Sequence, residues 1–218
     1  MNLPSVIPLF PLPNVVLFPG VPLPLHVFEP RYRDMVRDTK DGHSIIGMTL
    51  LRGRWQDDYY GRPQIFSMGC AGRIVSAETL PDGKFNILLH GTREFVIERE
   101  IEGKSYREAE VRWCPASPPD TGISDELRHR VTERLRECIS LHLEDSTRKL
   151  LDDPTLGDQL LVNFFCYALD LSPLEKQGLL EATSLVTRAQ RLSEVLEFYL
   201  HEARSGVAGS LITNRRSH

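Results

Sequence analysis

The 218-residue sequence has no surplus of positive charge: 26 Lys and Arg stand against 30 Asp and Glu, a formal net charge of -4. That removes the broad electrostatic pull that draws proteins to nucleic acid or to anionic membranes. No stretch approaches the ~18 consecutive apolar residues of a membrane-crossing helix. The opening residues, Met1-Asn2-Leu3-Pro4-Ser5, lack a basic start, and prolines interrupt the apolar run behind them. No signal peptide is therefore expected, and the expected location is the cytoplasm. Only four cysteines occur, Cys70, Cys114, Cys138 and Cys166, with no close pair. In a reducing compartment they read as ordinary thiols rather than as a disulfide framework.

Catalytic signatures are missing as well. A phosphate loop needs glycines for close backbone approach, followed by Lys and Ser or Thr. The run from Gly42 places Met48 where the lysine belongs, and Gly103-Lys104-Ser105 has Glu98 at the first glycine position. There is no G-x-S-x-G elbow. His26, His43, His90, His129 and His142 are scattered, and packing or surface roles account for them. Cys138 and His142 are four apart, as two ligands on one helix face would be, but no C-x2-C supplies the others. Neither a metal nor a cofactor is expected. Asp57-Asp58 and Asp152-Asp153 fall in loops, where acid pairs are solvated or act as caps. Arg128, Arg130, Arg134 and Arg136 are interleaved with Asp125, Glu126, Glu133 and Glu137, a solvated face with local ion pairs rather than a basic stripe.

What is present divides into two rhythms. Residues 7–36, IPLFPLPNVVLFPGVPLPLHVFEPRYRDMV, hold seven prolines among many Val, Leu, Ile and Phe. Proline is barred from helix interiors and central strands, so this segment must be extended strand, edge or buried turn. Strands are expected at Val6–Phe10 and Leu23–Val27. A helix should follow from Glu29-Pro30 with Tyr32, Met35 and Val36 on one face. Further strands are expected at Ile45–Leu51, Gly69–Ala77, Phe85–His90, Glu94–Ile101 and Ala109–Trp113, with a tight hairpin at Pro81-Asp82-Gly83-Lys84.

A linker at Cys114–Gly122 separates these from a helical half. There Ser124 should cap a helix burying Leu127, Val131, Leu135, Cys138, Ile139 and His142. Asp153-Pro154 should open a second helix with Leu156, Leu160, Leu161, Phe164, Phe165 and Ala168 inward. Ser172-Pro173-Leu174-Glu175 forms a capping box, and a last helix runs from Leu185 to Ala203, with Gly206 as its stop. The expected division is 1–118 and 119–205, with 206–218 a disordered tail.

The loop Gly53–Pro63 carries three large aromatics, Trp55, Tyr59 and Tyr60. Aromatics on a surface loop can grip an apolar side chain or stack a base, or they can fold back onto the domain. They are the candidate binding residues.

The proline-rich opening resembles the start of the Lon N-terminal domain, the substrate-recognition region of ATP-dependent Lon proteases. IGMTLL (Ile46–Leu51), GCAGRIV (Gly69–Val75) and PDGKFNILLHGTREFVI (Pro81–Ile97) follow in matching order and spacing. The helical half resembles the family more loosely, through LLEATSLVTRAQRLSEVLE (Leu179–Glu197). The resemblance implies an α+β fold: a six-stranded β pseudo-barrel, similar to PUA-type RNA-binding domains, then a helical bundle. It implies packing roles for Phe28, Tyr32 and Met35, and local hydrogen bonding for Glu29 and Arg31. Full Lon proteases add an ATPase module and a Ser–Lys peptidase domain, neither of which this sequence resembles. The expectation is a stand-alone, non-catalytic module that binds polypeptide, unfolded or damaged. RNA binding through the barrel, an adaptor for one folded partner and a small hydrolase with a non-standard site are the alternatives.

Overall fold

A computed structural model describes residues 3–115, 122–142, 150–151, 153, 155–182 and 184–205, without side chains for 139–142. The chain is α+β and divides into two units, Met1–Ala116 with Leu171–Glu181, and Ser117–Asp170 with Ala182–His218. The expected boundary at 118/119, Gly206 and the expected tail lie outside the described residues.

The first unit is built on a mixed six-stranded sheet: β1 (Val6–Leu12), β2 (Pro22–Val27), β3 (Ile45–Leu50), β4 (Met68–Thr79), β5 (Phe85–Ile101) and β6 (Arg107–Trp113). The order is β2-β5-β4-β3-β1-β6, and β5 also pairs with β6. Alternation of apolar residues buries one face, with Ile7, Leu9, Ile45, Ala71, Phe95, Ala109 and Val111 forming a core cluster. Trp113 packs against that core and donates its indole N–H to the Pro4 carbonyl at 2.9 Å.

The prolines of β1 fit because this strand changes partner midway. It runs antiparallel to β6 over Val6–Leu9 and parallel to β3 over Leu9–Leu12. Ser5 O accepts from Val111 N, so odd residues turn their main chain towards β6; Leu12 O accepts from Leu51 N, so even residues turn towards β3. Pro8 therefore faces the β3 side before that ladder begins, and Pro11 faces the β6 side after that ladder has ended. Neither missing N–H costs a ladder bond.

Two expected strands, Phe85–His90 and Glu94–Ile101, are one 17-residue strand, β5. Gly91-Thr92 looks like a break, but β4 shifts register there, between Ala71 and Gly72, and both chains continue. A Cβ at Gly91 would stand 2.0 Å from the Phe18 carbonyl oxygen, so glycine serves close packing at that point. At the hairpin Gly83 has φ +77°, a left-handed conformation that a tight turn uses.

Helix α1 (Pro30–Lys40) begins with proline in its first turn and buries Tyr32, Met35, Val36 and Thr39. Phe28, expected to pack with them, is 58% exposed. It follows the end of β2 in phase with His26 on the outer face rather than with buried Val27. The short helix α4 (Pro173–Leu180) belongs to this unit too: its capping box is closed in both directions, and buried Gln177 donates from Nε2 to the Met68 carbonyl at 3.0 Å.

The second unit contains α2 (Asp125–His142), α3 (Asp158–Ala168) and α5 (Leu185–Arg204), with α2 and α3 each packed on α5. Val131, Leu135, Leu161, Phe165, Leu192 and Leu196 form its buried stripe. Ser124 accepts from Leu127 N, as a cap does. The second helix starts at Asp158, not at Asp153-Pro154. Asp153 Oδ1 instead accepts from Thr155 N and Oγ1, closing a local turn ahead of the helix. Leu160, expected inward, is 39% exposed. The side chains of Ile139 and His142, and Pro154 itself, lie outside the described residues.

Candidate functional site

The aromatic loop is held down from one side and open on the other. Trp55 starts a 3-10 turn (Trp55–Asp58) and is half-buried. Tyr59 donates its hydroxyl to Glu29 Oε1 at 2.8 Å, at the N-terminal end of α1. Arg31 completes the corner: Nε donates to Glu29 Oε2 at 3.0 Å, Nη2 donates to the Tyr59 carbonyl at 3.3 Å, and the guanidinium lies 4.6 Å from the Tyr32 ring centre. Burial, then the bond to the Glu29 carboxylate, pushes the Tyr59 hydroxyl above its ordinary pKa, so it stays a donor at neutral pH. Beneath the loop, Arg107 makes a bidentate pair with Glu100 at 2.8 and 2.6 Å and donates to the Pro63 carbonyl. The recess these groups line, between Pro11, Tyr32, Tyr59 and Arg107, measures about 10 Å³. That is room for about one water, so the corner is filled rather than an open cleft.

Tyr60 is the other half of the arrangement. It is 86% exposed, and its ring meets Tyr59 edge to face at 5.2 Å. Tyr59 also meets Trp55 at 5.9 Å. The three residues thus adjoin, but with unequal roles: Tyr59 is the fixed post, Trp55 leans on it, and Tyr60 projects.

A second exposed constellation was not legible in the sequence. On the outer face of the sheet, His26 on β2, Asn86 on β5 and Glu78 on β4 occupy one row across three strands. His26 Nδ1 lies 2.8 Å from Asn86 Oδ1, and Asn86 Nδ2 donates to Glu78 Oε2 at 3.4 Å. An amide oxygen only accepts, so Nδ1 carries a proton and donates it to Asn86. Phe28 stacks beside this ring at 6.1 Å with planes 27° apart. The signal was the parity of Pro22, Pro24 and His26, three exposed alternate residues in one strand.

Elsewhere, shifted groups have structural causes. Asp38 is held below the usual carboxylate range by bonds from Lys104 and Tyr106, and Tyr106 itself is pushed up to about 12 by burial and by Asp38. Cys138 is raised to about 11 by burial, which makes its thiol inert. A polar cleft of about 360 Å³ in the second unit is lined by Asp125, Arg128, His129, Thr132, Arg136 and Asp153 among others. Arg128 is committed to Asp158 and the Leu156 carbonyl, and Asp153 to Thr155. No group of three or more His, Cys, Asp or Glu poised to hold a metal occurs among the described residues. No described helix is long and apolar enough to cross a membrane.

Residues 6–197 match the family model of the ATP-dependent protease La (LON) substrate-binding domain. The chain belongs to this family. Among curated relatives, the Lon protease of Flavobacterium johnsoniae is 28% identical over 195 residues, covering 86% of this chain and 23% of that protein. The Lon protease of Parabacteroides distasonis is 26% identical, covering 93% of this chain and 25% of its own length. The chain spans about a quarter of the length of these relatives. Among solved structures, a Lon N-terminal domain protein from Xanthomonas campestris is 28% identical with a TM-score of 0.64, covering 89% of this chain and 98% of the other. The N-terminal domain of a Mycobacterium avium complex Lon protease has a TM-score of 0.66 at 16% identity, covering 88% and 98%, and shares the fold.

Proposed function

We propose that this member of the Lon substrate-binding family is a non-catalytic module that recognises polypeptide, with unfolded segments as its clients. The observation that carries the reading is the aromatic loop: Tyr60 stands 86% exposed against the ring of a pinned Tyr59, a large apolar surface with a polar tip facing outward. The pairing circuit β5-β4-β3-β1-β6-β5 supports taking the sheet as a pseudo-barrel of the PUA-like kind, with the loop on its rim. Trp55 and Tyr59 serve the site by placing Tyr60, and Trp55 adds contact area. Chemistry is not needed for this role, and the shifted groups described above have structural partners.

The test is a titration of the protein with a permanently unfolded polypeptide, using the same polypeptide folded as control and no nucleotide. Selective binding of the unfolded form is expected. Tyr60→Ala should weaken it about tenfold with an unchanged melting temperature. Replacing Trp55, Tyr59 and Tyr60 together should weaken it further and also lower stability, because Tyr59 is bonded to Glu29. Equal binding of both forms, or an indifferent Tyr60→Ala variant, would sink the reading.

A further inference from the structure

The outer edge of β2 is unpaired among the described residues, since β2 stands at the end of the strand order and its ladder runs to β5. Gly91 N donates to Val21 O at 2.9 Å, which fixes the phase: odd residues face β5, and Pro22, Pro24 and His26 turn their main chain outward. All three are exposed. This edge therefore offers three carbonyl acceptors and a single N–H donor, that of His26, because the two prolines have none. Only His26 could exchange both bonds of a pair with an added strand, so the edge is blunted against continuation of the sheet.

What such an edge can satisfy is a partner rich in donors and poor in acceptors. At its end stands a stacked pair of flat rings, exposed Phe28 and His26. Planar shape, positive charge and up to five N–H donors are the properties of a guanidinium. We propose that the free edge of β2, with Phe28 at its end, seats arginine side chains of an extended client polypeptide. The inference rests on the polypeptide-recognition reading and deepens it: Tyr60 supplies apolar grip, and the β2 edge selects for arginine over lysine. Lysine has the charge but neither the planar face nor the fork of donors.

The experiment uses two unstructured peptides identical except that one carries arginines where the other carries lysines, titrated into the full chain. The arginine peptide should bind about fivefold tighter. Phe28→Ala removes an exposed ring and leaves the core untouched; it should bring the two affinities to within about twofold. Tyr60→Ala should weaken both and keep the preference. Equal affinities in the unaltered protein, or a preference that survives Phe28→Ala, would overturn the arginine assignment while leaving polypeptide recognition standing. Failure of both peptides to bind would overturn the two readings together. Concentration-dependent self-association abolished by Phe28→Ala would also overturn it, by showing that a second copy of the chain covers this edge.

Discussion

In the sheet unit several of the closest approaches involve main chain, alongside the Arg31 and Arg107 bonds at the loop corner. Gly91 lies where a single added carbon would meet the Phe18 carbonyl, and two prolines in β1 lie where the ladders leave a gap on one side. In the helical unit the same task falls to arginine side chains. Buried Arg188 donates to Asn163 Oδ1 at 2.7 Å and to the Ala182 carbonyl; Arg134 reaches Ser193 and Glu197; Arg128 pairs with Asp158; Arg204 pairs with Glu137. A paired strand offers rigid backbone at fixed spacing, so precision comes from omitting atoms. Helices meet through side chains, so precision comes from long donors that span the gap. The proposed binding features of the sheet unit follow its habit: Tyr60 and the β2 edge adjoin paired strands and a bonded corner.

Both tryptophans, Trp55 and Trp113, belong to the sheet unit. Tryptophan fluorescence thus reports that unit, while far-ultraviolet circular dichroism weights the helices, and the contrast can be attacked one side at a time. The largest effect is expected from Gly91→Ala. With backbone as the obstacle there is no side chain to swing away, and the loss should reach ~3 kcal/mol or prevent folding. A fluorescence midpoint unchanged by this substitution would break the comparison. Arg188→Met keeps most of the volume but removes the donors from a buried site, and should cost about 2–4 kcal/mol, read chiefly by circular dichroism. If fluorescence and dichroism shift together in both variants, the two units unfold as one.

Much of this architecture was legible in the sequence, and the misses have specific causes. Period-two burial and the Pro-Asp-Gly turn located the strands, because those patterns depend on neighbours in the chain. The run at Gly91-Thr92 read as a gap because a glycine serving a close approach looks the same as a glycine serving a turn. Asp153 read as a helix cap because its chemistry is right for one, yet its oxygen is taken by Thr155. At the site, Trp55, Tyr59 and Tyr60 were visible as aromatics in a polar loop. Their division into a bonded Tyr59 and an exposed Tyr60 was not, since it depends on Glu29, 30 residues away from Tyr59. The packing role of Phe28 was what the family resemblance implied; the strand phase shows that it faces out.

Two smaller effects sharpen the picture of the sheet unit. Tyr59→Phe keeps the ring and deletes one hydrogen bond to a carboxylate, for an expected loss of about 1 kcal/mol. It should also speed tryptic cleavage after Arg52 and Arg54, and equal cleavage rates would remove Tyr59 from its role as a post. The smallest effect concerns acid. Asp38 is bonded by Lys104 and Tyr106, at 2.7 and 2.8 Å, and its folded pKa is lowered, so its contribution is complete above the unfolded value near ~4 and fades as pH falls through the folded value. Fluorescence-detected stability should therefore decline more gently below pH ~4 in Asp38→Asn than in the unaltered protein. Parallel acid profiles would show that Asp38 is not an acid-sensitive tie.

The double pairing of β1 also governs the order in which the chain can become structured as it is made. Val6–Leu9 must wait for Arg107–Glu110, about a hundred residues later, whereas the parallel partner β3 is available after some forty. Contacts of such long separation form slowly because the intervening loop must first be closed. During synthesis the first strand can lie against β3 with its other side bare, and the last seam to close is the one that the Trp113 indole fastens to Pro4. A newly made chain halted before Arg107 would thus expose on β1 the same kind of unpaired edge that the finished protein blunts with proline on β2.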